Sequence, residues 1–139
     1  MELIIRDSSK LIDPTFGRWL IPQIKIKLLS KISNYNFKNI DKYLTESDEI
    51  KRLYKKDYTS KDVIMFAADN LVCNGTDGEI YISFSNTKYV PGYDRFNLLT
   101  AVKTINYGNL SVKGCPIFTD TFKYFEKNIQ QFVELFYRI

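Results

Sequence analysis

An alternation of apolar and polar residues at 79–85 constrains the fold more than any other stretch of the chain. The apolar positions are Ile80, Ile82 and Phe84, and a polar or amphipathic residue follows each of them. Because successive side chains of a strand point to opposite faces of a sheet, the pattern predicts a strand with one buried and one polar face. We therefore expect a sheet whose apolar face is covered by helices.

The first helical pattern begins at Asp13-Pro14, which offers an N-cap followed by proline at the first helical position. Apolar residues then recur at helical spacing and predict an amphipathic helix that runs to about Ser33. Pro22 lies inside this pattern, so the helix either kinks at this residue or begins afresh there. Before it, the apolar run Glu2–Arg6 fits either a strand or an N-terminal tail.

The middle of the chain predicts a loop and two helices. Residues 33–46 are polar and rich in asparagine, and we interpret them as a loop with a short helical turn. A small charged helix is predicted over Glu46–Tyr54. A firmer helix follows over Thr59–Cys73, because Thr59 and Asp62 have the spacing of a capping box. Asn74-Gly75 then suits the C-terminal cap of this helix.

Beyond the strand, the sequence predicts a loop, two helices and a short second strand. The loop covers Asn86–Asp94, and the helix after it stops at Tyr107-Gly108-Asn109. Leu110–Lys113 fits a second strand. A closing helix, capped by Thr119 or Asp120, carries an aromatic face to the end of the chain.

Together these patterns predict one α+β domain that covers residues 1–139. Its sheet is small and antiparallel and is packed with several helices, of which the C-terminal helix is long. A chain of this length is large enough to bury a substantial core.

The residue types argue against an enzyme. The chain has no histidine, which is the commonest acid–base group near neutral pH and the commonest metal ligand. The aspartates at 57–77 show no convergent metal-site pattern and fit helix caps and surface positions. Gly75 to Gly78 has the wrong spacing and the wrong helix-to-strand order for a phosphate loop. We therefore predict no catalytic residue, no cofactor and no metal.

The cysteines and the hydropathy indicate an intracellular protein without a membrane partner. Cys73 and Cys115 lie far apart in the sequence and form no Cys-x-x-Cys motif, so we expect two reduced thiols. No stretch approaches the ~20 apolar residues of a membrane span.

A nucleic-acid-binding role stays open. The net charge of +4 is too small to indicate one, but basic residues cluster between positions 25 and 56. Tyr35, Phe37 and Tyr43 lie among them, and such aromatics can stack on bases while lysines follow the phosphates. The same mixture also fits solvated helix faces and partly buried loops.

The order of elements in the C-terminal half resembles the small tail-completion and head–tail joining proteins of tailed bacteriophages. The features that carry this likeness are the strand 80–85, the Pro91-Gly92 loop, the helix that leads into Ile105–Asn109, the segment Gly114–Phe118 and the closing aromatic helix. That family has a similar aromatic-Gly-polar turn, followed by a small-Pro-hydrophobic segment and a C-terminal helix. This chain departs at Asn106, where an acidic residue is typical, and at Asn109, where threonine is typical.

The resemblance implies a structural virion protein. Such a neck or tail-completion subunit forms a ring between portal-proximal proteins and the tail, and it is present in the host cytoplasm during assembly. Subunits of a ring meet head to tail, so that a rotation closes the ring. Two alternatives remain: a small intracellular binding or inhibitor protein of phage origin that acts against host defence, and a nucleic-acid-binding accessory protein that uses residues 25–56.

We expect contacts between protein chains at the loop Asn86–Asp94 and at the turn Tyr107–Lys113, and six residues there are the candidate interface residues. They are Tyr89, Pro91, Gly92, Tyr93, Tyr107 and Asn109. A lone domain usually places small polar residues at such turns, whereas a tyrosine at an interface buries its ring and keeps a polar partner for its hydroxyl. The same amphipathic character also suits core positions at the base of a loop.

Overall fold

The computed structural model describes residues 1–7, 11–46, 59–90 and 97–138. Within these ranges the chain forms a three-stranded antiparallel sheet and six α-helices, which confirms the predicted α+β class. In chain order the elements are β1 (Glu2–Arg6), α1 (Pro14–Ser30), a short 3₁₀ helix (Ile32–Asn34), α2 (Lys38–Glu46), α3 (Ser60–Ala68), β2 (Leu71–Thr76), β3 (Glu79–Phe84), α4 (Leu98–Tyr107), α5 (Ile117–Lys127) and α6 (Ile129–Arg138).

The helix α1 begins as its sequence predicts. The Asp13 carboxylate accepts a hydrogen bond from the Phe16 amide at 2.8 Å, and Pro14 occupies the first turn. The helix runs through Pro22 without a fresh start, so the second of the two alternatives, a helix that begins afresh there, is wrong. Its buried stripe packs on the sheet and on α5.

The sheet has the order β1-β3-β2, with β3 in the centre. A two-residue loop, Asp77-Gly78, joins β2 to β3, because Thr76 pairs directly with Glu79. Gly78 has φ +91°, and the tight turn of such hairpins requires positive φ values, which glycine adopts without strain. The run Glu2–Arg6 is therefore a strand rather than a tail, and it pairs with β3 on the other side.

The helix predicted over 59–73 is shorter than expected. Its capping box is confirmed, since Thr59 and Asp62 exchange the two hydrogen bonds that define it. The helix ends at Ala68, however, and residues 71–76 form β2. Asn74-Gly75 is therefore not a helix cap, because this segment pairs with β3 across the Asp-Gly hairpin.

Two other local predictions change, and the one on the cysteines does not. Residues 38–46, interpreted as part of a loop, form α2, whereas most of the helix predicted over Glu46–Tyr54 lies outside the described residues. Leu110–Lys113 forms no strand; only an isolated bridge joins Gly108 to Lys113. The cysteines are two separate thiols, neither of them in a disulfide.

The long closing helix is in fact two helices, α5 and α6. They meet at Asn128, whose main-chain amide and side-chain amide both donate to the Tyr124 carbonyl, at 3.1 and 2.8 Å. Asn128 has φ −109° and ψ 17°, outside the helical region. The break lets α6 turn back onto α1, where Phe136 packs against Phe16 and Trp19.

The core lies between one face of the sheet and the helices. The inner face carries Leu3, Ile5, Ile80, Ile82 and Phe84, all at most 3% exposed. The helices α1 and α5 pack against this face. The outer face alternates polar and apolar side chains, with Ile4 and Val72 each 37% exposed.

Candidate protein-interaction surface

The segment between α4 and α5 is a tight turn, which we call the 108–113 turn. Gly108 ends α4 with φ +74°, a conformation that glycine adopts without strain. The Asn109 amide donates to the Val112 carbonyl at 2.9 Å, and the Asn109 side-chain oxygen accepts from the amides of Ser111 and Val112 at 2.8 and 3.1 Å. Asn109, a predicted interface residue, is therefore engaged in holding the turn.

Two glycines fix the base of this turn by direct backbone contact. A Cβ on Gly114 would lie 2.4 Å from the Gly108 nitrogen, and a Cβ on Gly108 would lie 2.5 Å from the Gly114 nitrogen. Neither position has space for a side chain, because the obstructing atoms are main chain. The backbone segments at Gly108 and Gly114 are therefore in direct contact.

Asn106 connects the same turn to the start of α5. The buried Asn106 amide oxygen accepts from the Phe118 and Thr119 amides at 3.1 and 3.0 Å, and its nitrogen donates to the Thr119 hydroxyl at 2.7 Å. The residue at the α5 N-cap position is Pro116, which supplies no side-chain cap. A side chain on α4 thus does for α5 what a local N-cap normally does.

The turn presents two large apolar groups to solvent. Tyr107 is 63% exposed, and Leu110 is as exposed as in an extended chain, at 108%. Because the turn is held by hydrogen bonds and by the glycine crossing, a partner that binds these side chains would not have to order the loop first. Leu110 lies within the predicted interface turn Tyr107–Lys113, but the sequence did not single out its side chain, because residues 110–113 also fit a strand.

The remaining candidate interface residues are not all beside this turn. Tyr89 is 56% exposed and bridges to Asn97, just before α4. Ten residues of α4, about 15 Å of helix, separate this bridge from the turn. Pro91, Gly92 and Tyr93 lie outside the described residues.

A pair of grooves runs from the turn along the sheet. The first, of about 230 Å³, is lined by Tyr107, Glu2 and Glu126 among others. The second, of about 480 Å³, lies along β1 and shares Glu2 and Glu126 with the first. Ile129 of α6 lines its far wall. The surface around the turn is therefore continuous with the outer edge of β1.

Two of the basic residues proposed for nucleic-acid binding make contacts within the protein, and one of the aromatic residues is buried. Lys25 forms an ion pair with Asp69, and the Lys27 ammonium lies 4.0 Å from the centre of the Tyr124 ring. Phe37 is buried. Tyr35 and Tyr43 are half-buried, whereas a base-stacking platform needs exposed rings. The basic residues between positions 51 and 56 lie outside the described residues, so the hypothesis stays open.

Tyr35 is half-buried and also makes a contact within the protein. Its hydroxyl donates to the Asp120 carboxylate, and burial together with this contact raises the pKa of Tyr35 well above its ordinary value. Burial also raises the pKa of the Cys73 and Cys115 thiols. A nucleophilic cysteine requires the opposite shift.

Within the described ranges, no three residues among histidine, cysteine, aspartate and glutamate are placed to hold a metal ion. None of the helices in the same ranges is both long and apolar enough to cross a bilayer.

No protein-family model, curated protein or solved structure matched the chain.

Proposed function

We propose that this protein is a structural assembly subunit whose 108–113 turn, with Tyr107, contacts other protein chains. The observation that carries the proposal is the full exposure of Leu110 on a turn that is fixed by its own hydrogen bonds and by the close backbone contact of Gly108 and Gly114. Rigid turns that expose large apolar side chains are characteristic of binding surfaces, because burial of those side chains is gained without a loss of loop entropy.

The form of assembly that we propose is a ring in the neck of a tailed bacteriophage, with other neck and tail proteins as neighbours. This part rests on the sequence resemblance to tail-completion and head–tail joining proteins. The exposed turn supports it, because a ring needs one patch on each subunit that meets a different patch on the next.

The test is the oligomeric state of the purified protein over the micromolar to millimolar range, by sedimentation velocity and negative-stain microscopy. We expect rings of the unchanged protein at high concentration. Tyr107→Ser with Leu110→Ser should abolish them and leave the thermal unfolding midpoint within about 2 °C, since exposed side chains contribute little to folding.

The matched control is Ile26→Ser, which removes an apolar side chain of similar exposure (66%) from α1. It should leave ring formation unchanged. A protein that never exceeds a dimer, or rings that tolerate the double substitution, would contradict the proposal.

A further inference from the structure

The outer edge of β1 carries backbone groups that make no backbone hydrogen bond to another described residue. The Asp7 amide donates to the Gly78 carbonyl at 2.8 Å, and Asp7 continues the register in which Ile5 pairs with Ile80. Because strand residues direct their N–H and C=O groups alternately to the two sides, Leu3 and Ile5 bond to β3. The N–H and C=O groups of Glu2, Ile4 and Arg6 therefore point outward, away from the sheet.

No strand among the described residues pairs with this edge, which can therefore accept a further strand. The groove of about 480 Å³ runs along it, between β1 and the side chains of Glu126 and Ile129. Such an edge accepts an extended segment through main-chain hydrogen bonds, and the side chains beside it decide which segment fits.

The side chains of β1 fit a second copy of β1. If two copies run antiparallel about a twofold axis at Ile4, Glu2 of each copy lies opposite Arg6 of the other, and Leu3 lies opposite Ile5. Opposite charges at directly facing positions stabilise strand pairing, whereas like charges oppose it. The five-residue sequence Glu-Leu-Ile-Ile-Arg is thus complementary to itself in reverse.

The hydrogen-bonding pattern selects the same register. In an antiparallel pair, residues that exchange both backbone hydrogen bonds face each other directly. About the axis at Ile4, the residues that face each other in this way are Ile4 with Ile4 and Glu2 with Arg6. These are the three residues whose backbone groups point outward. Charge and main-chain geometry, which are independent, therefore agree on one pairing.

We propose that two copies of this chain associate through their β1 edges, forming one six-stranded sheet with the order β2-β3-β1-β1-β3-β2. This inference does not rest on the proposed ring, because it uses the β1 edge rather than the 108–113 turn. Its contact is isologous and closes at a dimer. The exposed ion pairs make the association salt-sensitive.

Charge exchange tests the register. Glu2→Arg alone places arginine opposite arginine, and Arg6→Glu alone places glutamate opposite glutamate. Each should weaken the dimer about tenfold or more in Kd, as measured by sedimentation equilibrium. Because Arg6 also forms an ion pair with Glu79 of its own chain at 3.1 Å, all of these variants carry Glu79→Gln, and in this background the double variant Glu2→Arg/Arg6→Glu should restore the dimer. An equimolar mixture of the two single variants should form a heterodimer, because the opposite charges then face each other again.

Disulfide trapping tests the axis. Ile4→Cys brings two thiols to facing positions on the twofold, within the Cα separation that a disulfide spans. Val72→Cys on β2 is the matched control, since Val72 has the same exposure as Ile4. Under mild oxidation we expect a disulfide between the two cysteines introduced at position 4, identified by peptide mass, and no cross-link at position 72.

Proline substitution separates loss of the dimer from loss of the fold. The Ile4 amide points outward, so Ile4→Pro should keep β1 in the sheet and abolish the dimer, whereas Ile5→Pro should also destabilise the monomer. A monomer at millimolar concentration, equal cross-linking at positions 4 and 72, or a mixture of single variants that stays monomeric would each overturn the inference. The last two results would do so even if rings form.

Discussion

At the scale of single residues, Asn106 connects the 108–113 turn to the start of α5. Its side chain makes three hydrogen bonds, and two of them satisfy main-chain amides at the start of α5. It is 2% exposed, so water cannot replace these bonds when the side chain is removed.

We expect Asn106→Ala to lower the free energy of unfolding by about 2–3 kcal/mol, because one buried and one partly buried amide lose their acceptor. Asn106→Asp keeps a carboxylate oxygen for these amides, and a negative charge at a helix N-terminus is favourable. The aspartate variant should therefore lose clearly less than the alanine variant. Urea unfolding of the three proteins measures the difference, and equal losses for both variants would contradict the capping role.

For single residues, the sequence predicts only interactions between near neighbours in the chain. The Asp13 cap and the Thr59/Asp62 capping box were predictable, because donor and acceptor lie within three residues of each other. The Asn106 cap joins residues 12 and 13 positions apart. Nothing in the segment 106–119 indicates which side chain will accept from the Phe118 and Thr119 amides until the turn is folded.

At the scale of elements, the contact between α1 and β2 depends on a glycine inside a helix. A Cβ on Gly17 would lie 2.3 Å from the Cys73 sulfur but 3.5 Å from the Cys73 Cβ. The Cys73 sulfur is therefore the main obstacle to a side chain at position 17. Among the described residues, the only other tight contact would be with the flexible end of the Ile80 side chain, at 3.0 Å.

Gly17→Ala should cost about 1–3 kcal/mol of stability through overpacking. In the Cys73→Ala background the same substitution should be neutral or stabilising by up to about 1 kcal/mol, because alanine is the better helix former. A double-mutant cycle by chemical unfolding gives the coupling. A coupling of zero would show that the sulfur is not the obstacle.

The error in the helix predicted over 59–73 has an identifiable physical cause. The apolar positions of 63–73 fit a helix, yet the end of this stretch is recruited as β2 because Asp77-Gly78 closes a hairpin with β3. That dipeptide between two apolar runs is a strong hairpin signal, and it could have revealed β2. The break at Asn128 carries no such signal, since the aromatic pattern continues across it.

At the scale of the whole molecule, a contact between Tyr35 and Asp120 ties the segment before α2 to α5 across 85 positions. Burial first, and then the carboxylate, raise the pKa of Tyr35 in the folded protein. The unfolded chain has the ordinary tyrosine value of about 10. The contribution of this group to stability is therefore complete below pH 10 and is lost as the pH rises towards the higher folded pKa.

We expect the free energy of unfolding to fall more steeply above pH 10 in the unchanged protein than in Tyr35→Phe. Denaturant unfolding between pH 7 and about pH 11 provides the comparison, and the other tyrosines cancel because both proteins contain them. Parallel curves for the two proteins would show that Tyr35 ionises equally in both states.

The α+β class could be predicted from the strand alternation and the helical stripes, which are local patterns. The candidate surface could be predicted from the sequence only in part. Tyr107 and Tyr89 are exposed as an interface requires, but Leu110 and the β1 edge depend on how distant segments meet. Exposure is a property of the assembled fold, and a sequence pattern does not contain it.

The strand order has a consequence for how the protein folds as it is synthesised. The β2–β3 hairpin is local, whereas Ile5 pairs with Ile80, 75 positions later in the chain. At ordinary elongation rates, about 4–15 s pass between the synthesis of these two residues. During that time Leu3 and Ile5 have no sheet to join, so β1 must be the last strand added, and closure of this long loop sets a slow step in folding.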